Sequence, residues 1–359
     1  MIRPLSPWAQ RPRLPAEWER QAAVQLTWPH DTEGLWGDQF PVVEGCFVAM
    51  ATAIAANQPL LVVCHDEALR DRVDRLLERA GVAADVRNLA VAPSNDIWAR
   101  DHGPITILQG DGRPLIQDFA FNGWGQRFRA DRDDVITQHL VQQGLFGDTA
   151  FRRVEWVLEG GSIDTDGAGT ILTTERCLLN DNRNPGATRE QVEQQLCARL
   201  GASRVFWLRH GALTGDDTDS HVDMLARFTD PETITYTACP DPDDEDYAEL
   251  QAMEQELRQF RTLRGTPYRL VPLPWPGIKR DEEGQRMPAS YANFLVINGA
   301  VLVPQYQDPA DEQALAVLGA LFPDREIIGI PALPLIHQHG SVHCATMQLP
   351  AGVQLSADN

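Results

Sequence analysis

The chain has 359 residues, of which 43% are hydrophobic and 23% charged, the balance of a globular protein with a real core. A net charge of −20 argues against nucleic acid as a partner, because its binders cluster Lys and Arg, and no apolar run is long enough to span a membrane. Residues 1–14 lack the apolar stretch of a signal peptide, and the six cysteines are scattered with no Cys-x-x-Cys pair, so free thiols in the cytoplasm are expected.

In chain order, short β-branched runs bounded by Gly, Pro, Asp or Asn predict strands over 23–27, 60–64, 105–108, 115–119, 170–173, 205–208, 233–237, 294–297, 300–304 and 326–330. Apolar residues spaced at three and four predict helices over 42–56, 67–80, 132–143, 189–200, 247–263 and 310–321. The segments 240–246 and 271–284 read as loops, too short for domain linkers. The class is therefore α/β, with one helix for every two or more strands, and residues 1–359 are expected to form a single domain. Modules of strands plus one helix around a centre fit this order, although no exact sequence repeat is visible.

Four segments gather reactive side chains. Asn95 to Pro104 holds Asp96, Trp98, Arg100, Asp101 and His102 ahead of a Gly-Pro turn. Leu158 to Asp164 sets Glu159 before two glycines, where the backbone can turn sharply. Gly215 to Asp223 ends in His221-Val222-Asp223, whose outer two side chains would share one face of a strand. His337 to Cys344 ends in His343-Cys344.

Cys344 is a candidate nucleophile and His221 a candidate acid/base, a thiolate and an imidazole both being effective near neutral pH. Acyl transfer by such a pair needs donors for an oxyanion. Asp101, Glu159 and Asp223 instead suit a cation. A guanidinium presents a planar fork of N–H donors that paired carboxylates meet. The bland readings are that the other cysteines are inert core, that Trp98 is packing and that Asp96 and Glu159 cap turns. A rival reading is a metal-dependent hydrolase, with His337, His339, His343 and Cys344 as ligands and His221-x-Asp223 as a further ligand-like pair.

The chain resembles the agmatine deiminase branch of the guanidine-modifying enzymes, whose wider group includes arginine and peptidylarginine deiminases. The resemblance runs through Thr27-Trp28-Pro29, the 98–104 and 158–163 segments, Thr218 to Asp223, Pro288 to Phe294 and Gly340 to Cys344, in that order. It implies a five-bladed β/α propeller (pentein) with pseudo-fivefold symmetry around a central channel. It also implies attack by Cys344 on the guanidinium carbon, Asp101 and Asp223 clamping its nitrogens, and His221 protonating ammonia and then activating water. Glu159 would support the site, Trp98 line the channel, and Asp96 take a lesser binding or structural role. The expected reaction is hydrolysis of agmatine to N-carbamoylputrescine and ammonia through an amidino-cysteine, in putrescine biosynthesis, with no metal or organic cofactor. The resemblance allows a homodimer or larger homo-oligomer. Asp164, Ser220 and Gln338-His339 depart from the commonest family pattern, and the first and last are expected to bear on how the substrate's distal end is read. Peptidyl or free arginine is the alternative substrate, and a non-catalytic binding propeller the alternative of another class.

Overall fold

In a computed structural model the described residues are 11–32, 34 and 36–356. The expectation that residues 1–14 form no leader therefore falls largely outside them.

The β-branched run at Leu60–Cys64 forms a strand buried at all five positions, as expected of one flanked on both sides by parallel neighbours. Thr188 opens the helix Arg189–Leu200 with a capping box to Gln191, and Gly201 closes it at φ 70°. Such elements repeat in one order. Among the described residues there are five sheets of three or more strands, plus a small hairpin, Lys279–Arg280 with Arg286–Met287. In every one of the five, a first strand pairs antiparallel with a second, which pairs parallel with a third.

Four of these sheets take their strands consecutively in the chain. They are Ile105–Leu108, Pro114–Ala120 and Ala150–Val157; Ile163–Thr165, Thr170–Thr174 and Arg204–Leu208; Ala226–Asp230, Thr233–Thr237 and Arg269–Leu273; and Leu295–Val296, Ala300–Gln305 and Glu326–Pro331. The fifth joins the two ends of the chain. Thr346–Pro350 pairs antiparallel with Gln21–Thr27, followed by Leu60–Cys64 and an added Arg87–Val91. A helix links the second and third strands each time, because parallel neighbours need a long crossover: Phe40–Ala55, Ile136–Gln142, Arg189–Leu200, Tyr247–Leu257 and Asp311–Leu321. The fold is mixed α/β, built of separate sheets rather than one closed barrel.

Each predicted strand and helix overlaps an observed one, with differences that have local causes. The helix expected over 132–143 is a 3-10 turn, Asp133–Val135, leading into Ile136–Gln142. The one expected to reach 263 stops at Leu257, where Thr262 and Gly265 close a turn. The stretch 271–284 is not all loop, since it holds the end of Arg269–Leu273 and one arm of the hairpin.

The turns leading into the five first strands position the site. Asp101 lies in the one-turn helix Ala99–His102, just before Ile105. Glu159 caps the 3-10 turn Gly160–Ser162, just before Ile163. His221 caps another, Val222–Met224, just before Ala226. Asn293 precedes Leu295, and Cys344 precedes Thr346. The backbone N–H of Arg100 donates to Cys344 O at 3.0 Å, tying the first of these turns to the last.

Candidate active site

Cys344 is 5% exposed, and Asn293 holds its segment from two directions. Asn293 Oδ1 accepts the backbone N–H groups of His343 (2.9 Å) and Cys344 (3.2 Å), while its Nδ2 donates to Cys344 Sγ at 3.2 Å. The sulfur lies 3.6 Å from Asp223 Oδ2. Burial, with Asp223 and Asp101 adding to it, pushes the thiol well above its ordinary range, and the Asn293 hydrogen bond only partly opposes this.

Asp101 accepts from Trp124 Nε1 (2.9 Å) on one oxygen and from the backbone N–H of Gly161 (2.9 Å) on the other. Burial raises this carboxyl above its ordinary value, with Asp223 and Glu159 adding to the effect against His221 and Trp124. His221 Nδ1 stands 3.6 Å from Asp101 Oδ1. Burial would push the imidazole down, but Asp101, Cys177 and Glu159 outweigh it and hold its pKa well above the ordinary value. His221 and Asp223 reach this place from a 3-10 turn, not from a strand. Their shared direction is set by the left-handed pair Asp219 and Ser220, both at φ 65°. Asp216, Thr218 and Thr174 hold that strained turn through Ser220 N, His221 N and Ser220 O, respectively.

Three groups that the sequence reading did not assign complete the constellation. Arg183 donates to Glu159 Oε1 at 2.7 Å and to Thr218 O at 2.9 Å, and pairs with Asp219, bracing Glu159 against the loop that carries His221. His343 Nδ1 is hydrogen-bonded with Asp223 Oδ2 (2.8 Å) and its Nε2 with Glu17 Oε2 (2.7 Å). Burial works to raise Asp223, and the His343 hydrogen bond and charge hold it below its ordinary value instead. Asn293 is the third, and its segment was legible only as part of a motif.

Asp164 does not face the substrate end. It accepts from Arg227 Nε (3.1 Å) and Phe228 N (2.6 Å), and Arg227 reaches Glu17 at 2.8 Å, so Asp164 ends a buried chain of charges behind Asp223. The expectation that this departure alters reading of the distal end is corrected accordingly. Gln338 and His339 do line the cavity above Cys344.

The metal-ligand cluster of the rival reading does not assemble among the described residues. His339 Nδ1 donates to Gly215 O at 2.7 Å, and His343 is engaged by two carboxylates. Of the cysteines read as inert core, Cys46, Cys64 and Cys239 are buried and Cys197 is exposed. Cys177 is also buried but lies beside Glu159 and His221.

The cavity takes in about 440 Å³ when its opening to solvent is included, with Cys344 and Asp101 in its lining. Trp98, Trp124 and Phe128 supply aromatic walls, and Asp96 and Asp217 add two half-buried carboxylates. Trp98 packs flush on Gly340, where an added Cβ would lie 2.3 Å from its ring. Trp124 sits at φ 53°, a conformation costly for a bulky residue and held by its bond to Asp101. Burial lifts both outer acids to about 6, and each feels a neighbouring carboxylate, Asp217 for Asp96 and Asp216 for Asp217.

A buried thiol beside a histidine, between two carboxylates and below an acid-lined aromatic cavity, can carry out nucleophilic chemistry on a planar cation. The family model described as Porphyromonas-type peptidyl-arginine deiminase matches residues 13–350, and the chain belongs to that family. The agmatine deiminase of Pseudomonas fluorescens is 33% identical, covering 94% of this chain and 95% of its own. Among solved structures, the "Putative Arginine Deiminase" of Porphyromonas gingivalis is 51% identical with a TM-score of 0.88, covering 95% of this chain and 99% of its own. A cysteine-to-serine variant of the C. jejuni agmatine deiminase with substrate bound is 32% identical with a TM-score of 0.86, covering 96% of this chain and 97% of its own.

Gly161 tests the convergence directly. A Cβ there would lie 2.7 Å from His221 Nδ1, 2.8 Å from Asp101 Oδ1 and 3.1 Å from Asp223 Oδ2. Gly161→Ala is expected to cut turnover about 100-fold or more, since a shift of about 1 Å in reacting groups costs that much. Steady-state kinetics on the folded variant check it, and near-normal turnover would show that these three groups do not act together.

Proposed function

We propose that the chain is an agmatine deiminase, a hydrolase of the amidine C–N bond, that releases ammonia and N-carbamoylputrescine. The observation that carries the substrate choice is the cavity lining. It offers Asp101, Asp96 and Asp217 and, among the described residues, no Arg or Lys. Agmatine is cationic at both ends, with four methylenes between. Its guanidinium suits Asp101 and Asp223, its methylenes the aromatic walls, and its ammonium the outer pair of acids. An arginine α-carboxylate would meet these acids with the wrong sign, and Arg127 nearby is held by Asp217 O and Asp219.

Arrival of the guanidinium between Asp101 and Asp223 offsets the negative field that disfavours the Cys344 thiolate, so the thiol releases its proton to solvent water as substrate binds. The thiolate adds to the central carbon. His221, held protonated by its acid neighbours, gives a proton to the departing nitrogen, which leaves as ammonia and yields an amidino-cysteine. The imidazole then takes a proton from water, whose oxygen adds to the same carbon. The C–S bond breaks, the sulfur recovers a proton, and the ureido product departs. Glu159, with Arg183 behind it, supports His221, and Trp98 walls the channel. Asp96, the lesser group of the sequence reading, helps hold the ammonium in this account.

The same reading extends to the frame. The recurring sheets, with the C-terminal strand pairing with the N-terminal one, support a pseudo-fivefold propeller formed by residues 1–359 as a single domain, with the site at its centre. A role in putrescine formation follows from the product.

Ammonia release from agmatine, arginine and an arginyl peptide, offered side by side, tests the substrate. Agmatine alone is expected to turn over, and Cys344→Ala to abolish it. Preference for arginine or the peptide would keep the chemistry and refute the reading of the outer acids. Those acids also make a pH prediction. With pKa values near 6 they are charged above pH 6 and neutral below it, so KM for agmatine should rise as pH falls from about 7.5 to about 5. Asp217→Asn should raise KM about tenfold near pH 7.5, the worth of one charge-assisted hydrogen bond, and flatten its rise at low pH. An unchanged KM profile would remove Asp217 from substrate recognition.

A further inference from the structure

Cys177 has no part in the chemistry above, yet it is fully buried beside the acid/base. It lies in the one-turn helix Glu175–Leu178, whose N-cap Thr174 accepts its backbone N–H. The thiol of Cys177, a carboxylate oxygen of Glu159 and a ring nitrogen of His221 all lie within 4.8 Å of one another, and each residue has 0% exposure.

Two features set this group apart from ordinary core. Glu159 uses Oε1 for Arg183, while its Oε2 is buried with no hydrogen-bond partner. Both His221 ring nitrogens are buried too, and the ring is held by the charge of Asp101 at 3.6 Å and by Cys177 through a hydrogen bond and charge. A buried carboxylate oxygen is seldom left unpaired, and Glu159 lies against both the thiol and the imidazole.

We propose that Glu159, Cys177 and His221 form an inhibitory zinc site that captures the acid/base without using Cys344. One sulfur, one imidazole nitrogen and one carboxylate oxygen are all zinc donors, and three protein ligands leave a fourth tetrahedral position for water. Tetrahedral ligands bound at about 2.0–2.3 Å stand roughly 3.3–3.8 Å apart, so a set already within 4.8 Å closes with movements of under about 1 Å by each ligand atom. The charge balance favours a divalent cation. Asp101 adds a carboxylate beside His221, and the one guanidinium bonded to Glu159, that of Arg183, is also paired with Asp219. The route in is the acid-lined substrate cavity, whose Asp101 is the neighbour of His221. Zinc would displace the thiol proton of Cys177 and occupy a ring nitrogen of His221, which then cannot pass protons.

The inhibitory consequence rests on the deiminase reading, but the site itself does not, so binding is measured without substrate. Zinc affinity is read by competition with a chromophoric chelator on the wild type and on Cys344→Ala, Cys177→Ser and Glu159→Gln, with folding of each checked by thermal denaturation. Cobalt(II) serves as a second probe through its thiolate charge-transfer absorption. The wild type and Cys344→Ala are expected to bind one equivalent and to show the cobalt–thiolate band. Cys177→Ser and Glu159→Gln should each bind at least about 100-fold more weakly, since even a group behind the ligands is worth about 10–100-fold. Cys177→Ser should also lose the band. No binding by the wild type, undiminished binding by Cys177→Ser, or binding lost in Cys344→Ala would each overturn the proposal. Glu159→Gln decides the matter should Cys177→Ser fail to fold. Failure here leaves the deiminase reading standing, and a protein inactive on agmatine can still pass.

Discussion

Five carboxylates, Glu17, Asp101, Glu159, Asp164 and Asp223, are buried at and behind the site, and the rest of the structure depends on keeping them compensated. An unpaired buried charge would neutralise itself or destabilise the fold. The protein answers with cations of equal burial, Arg227 between Glu17 and Asp164 and Arg183 on Glu159, and with the His343 ring hydrogen-bonded between Glu17 and Asp223. Two acids are left less fully answered on the substrate side. Asp101 has two neutral donors and His221 at 3.6 Å without a hydrogen bond between them, and Asp223 keeps Oδ1 without a partner. That remaining negative field opposes ionisation of the thiol and suits a cation.

These groups meet because the chain repeats one device. A turn carrying a polar residue leads into the first strand of each sheet: Asp101, Glu159, His221 with Asp223, Asn293 and Cys344. Each turn is short, so a side chain there is fixed by a strand on one side and by contacts from other turns on the other. The pairing of the C-terminal strand with the N-terminal one fixes the segment bearing Cys344 in the same manner as the other four.

Legibility in the sequence followed the range of the interaction. Buried second strands such as Leu60–Cys64 and Thr233–Thr237 read clearly, because continuous β-branched runs need no partner to be recognised. The first strands Ile163–Thr165, Ala226–Asp230 and Thr346–Pro350 did not, being short and broken by polar residues such as Arg227 whose burial depends on distant carboxylates. The motif residues Cys344, His221, Asp101, Asp223 and Glu159 converge, but their braces were invisible. His343 and Glu17 are 326 positions apart, and Arg183 and Glu159 are 24 apart with no periodic pattern joining them. Asp217 stood in plain sight within an acidic run, where nothing local separates a cavity-lining carboxylate from a solvated one.

The central claim is that Cys344 forms a covalent amidino intermediate. Whole-protein and peptide mass spectrometry on samples acid-quenched during agmatine turnover tests it most directly. The account predicts an adduct of agmatine less one ammonia on the peptide bearing Cys344, absent from Cys344→Ala. Turnover with no adduct at any quench time, or an adduct on another residue that persists in Cys344→Ala, would contradict it.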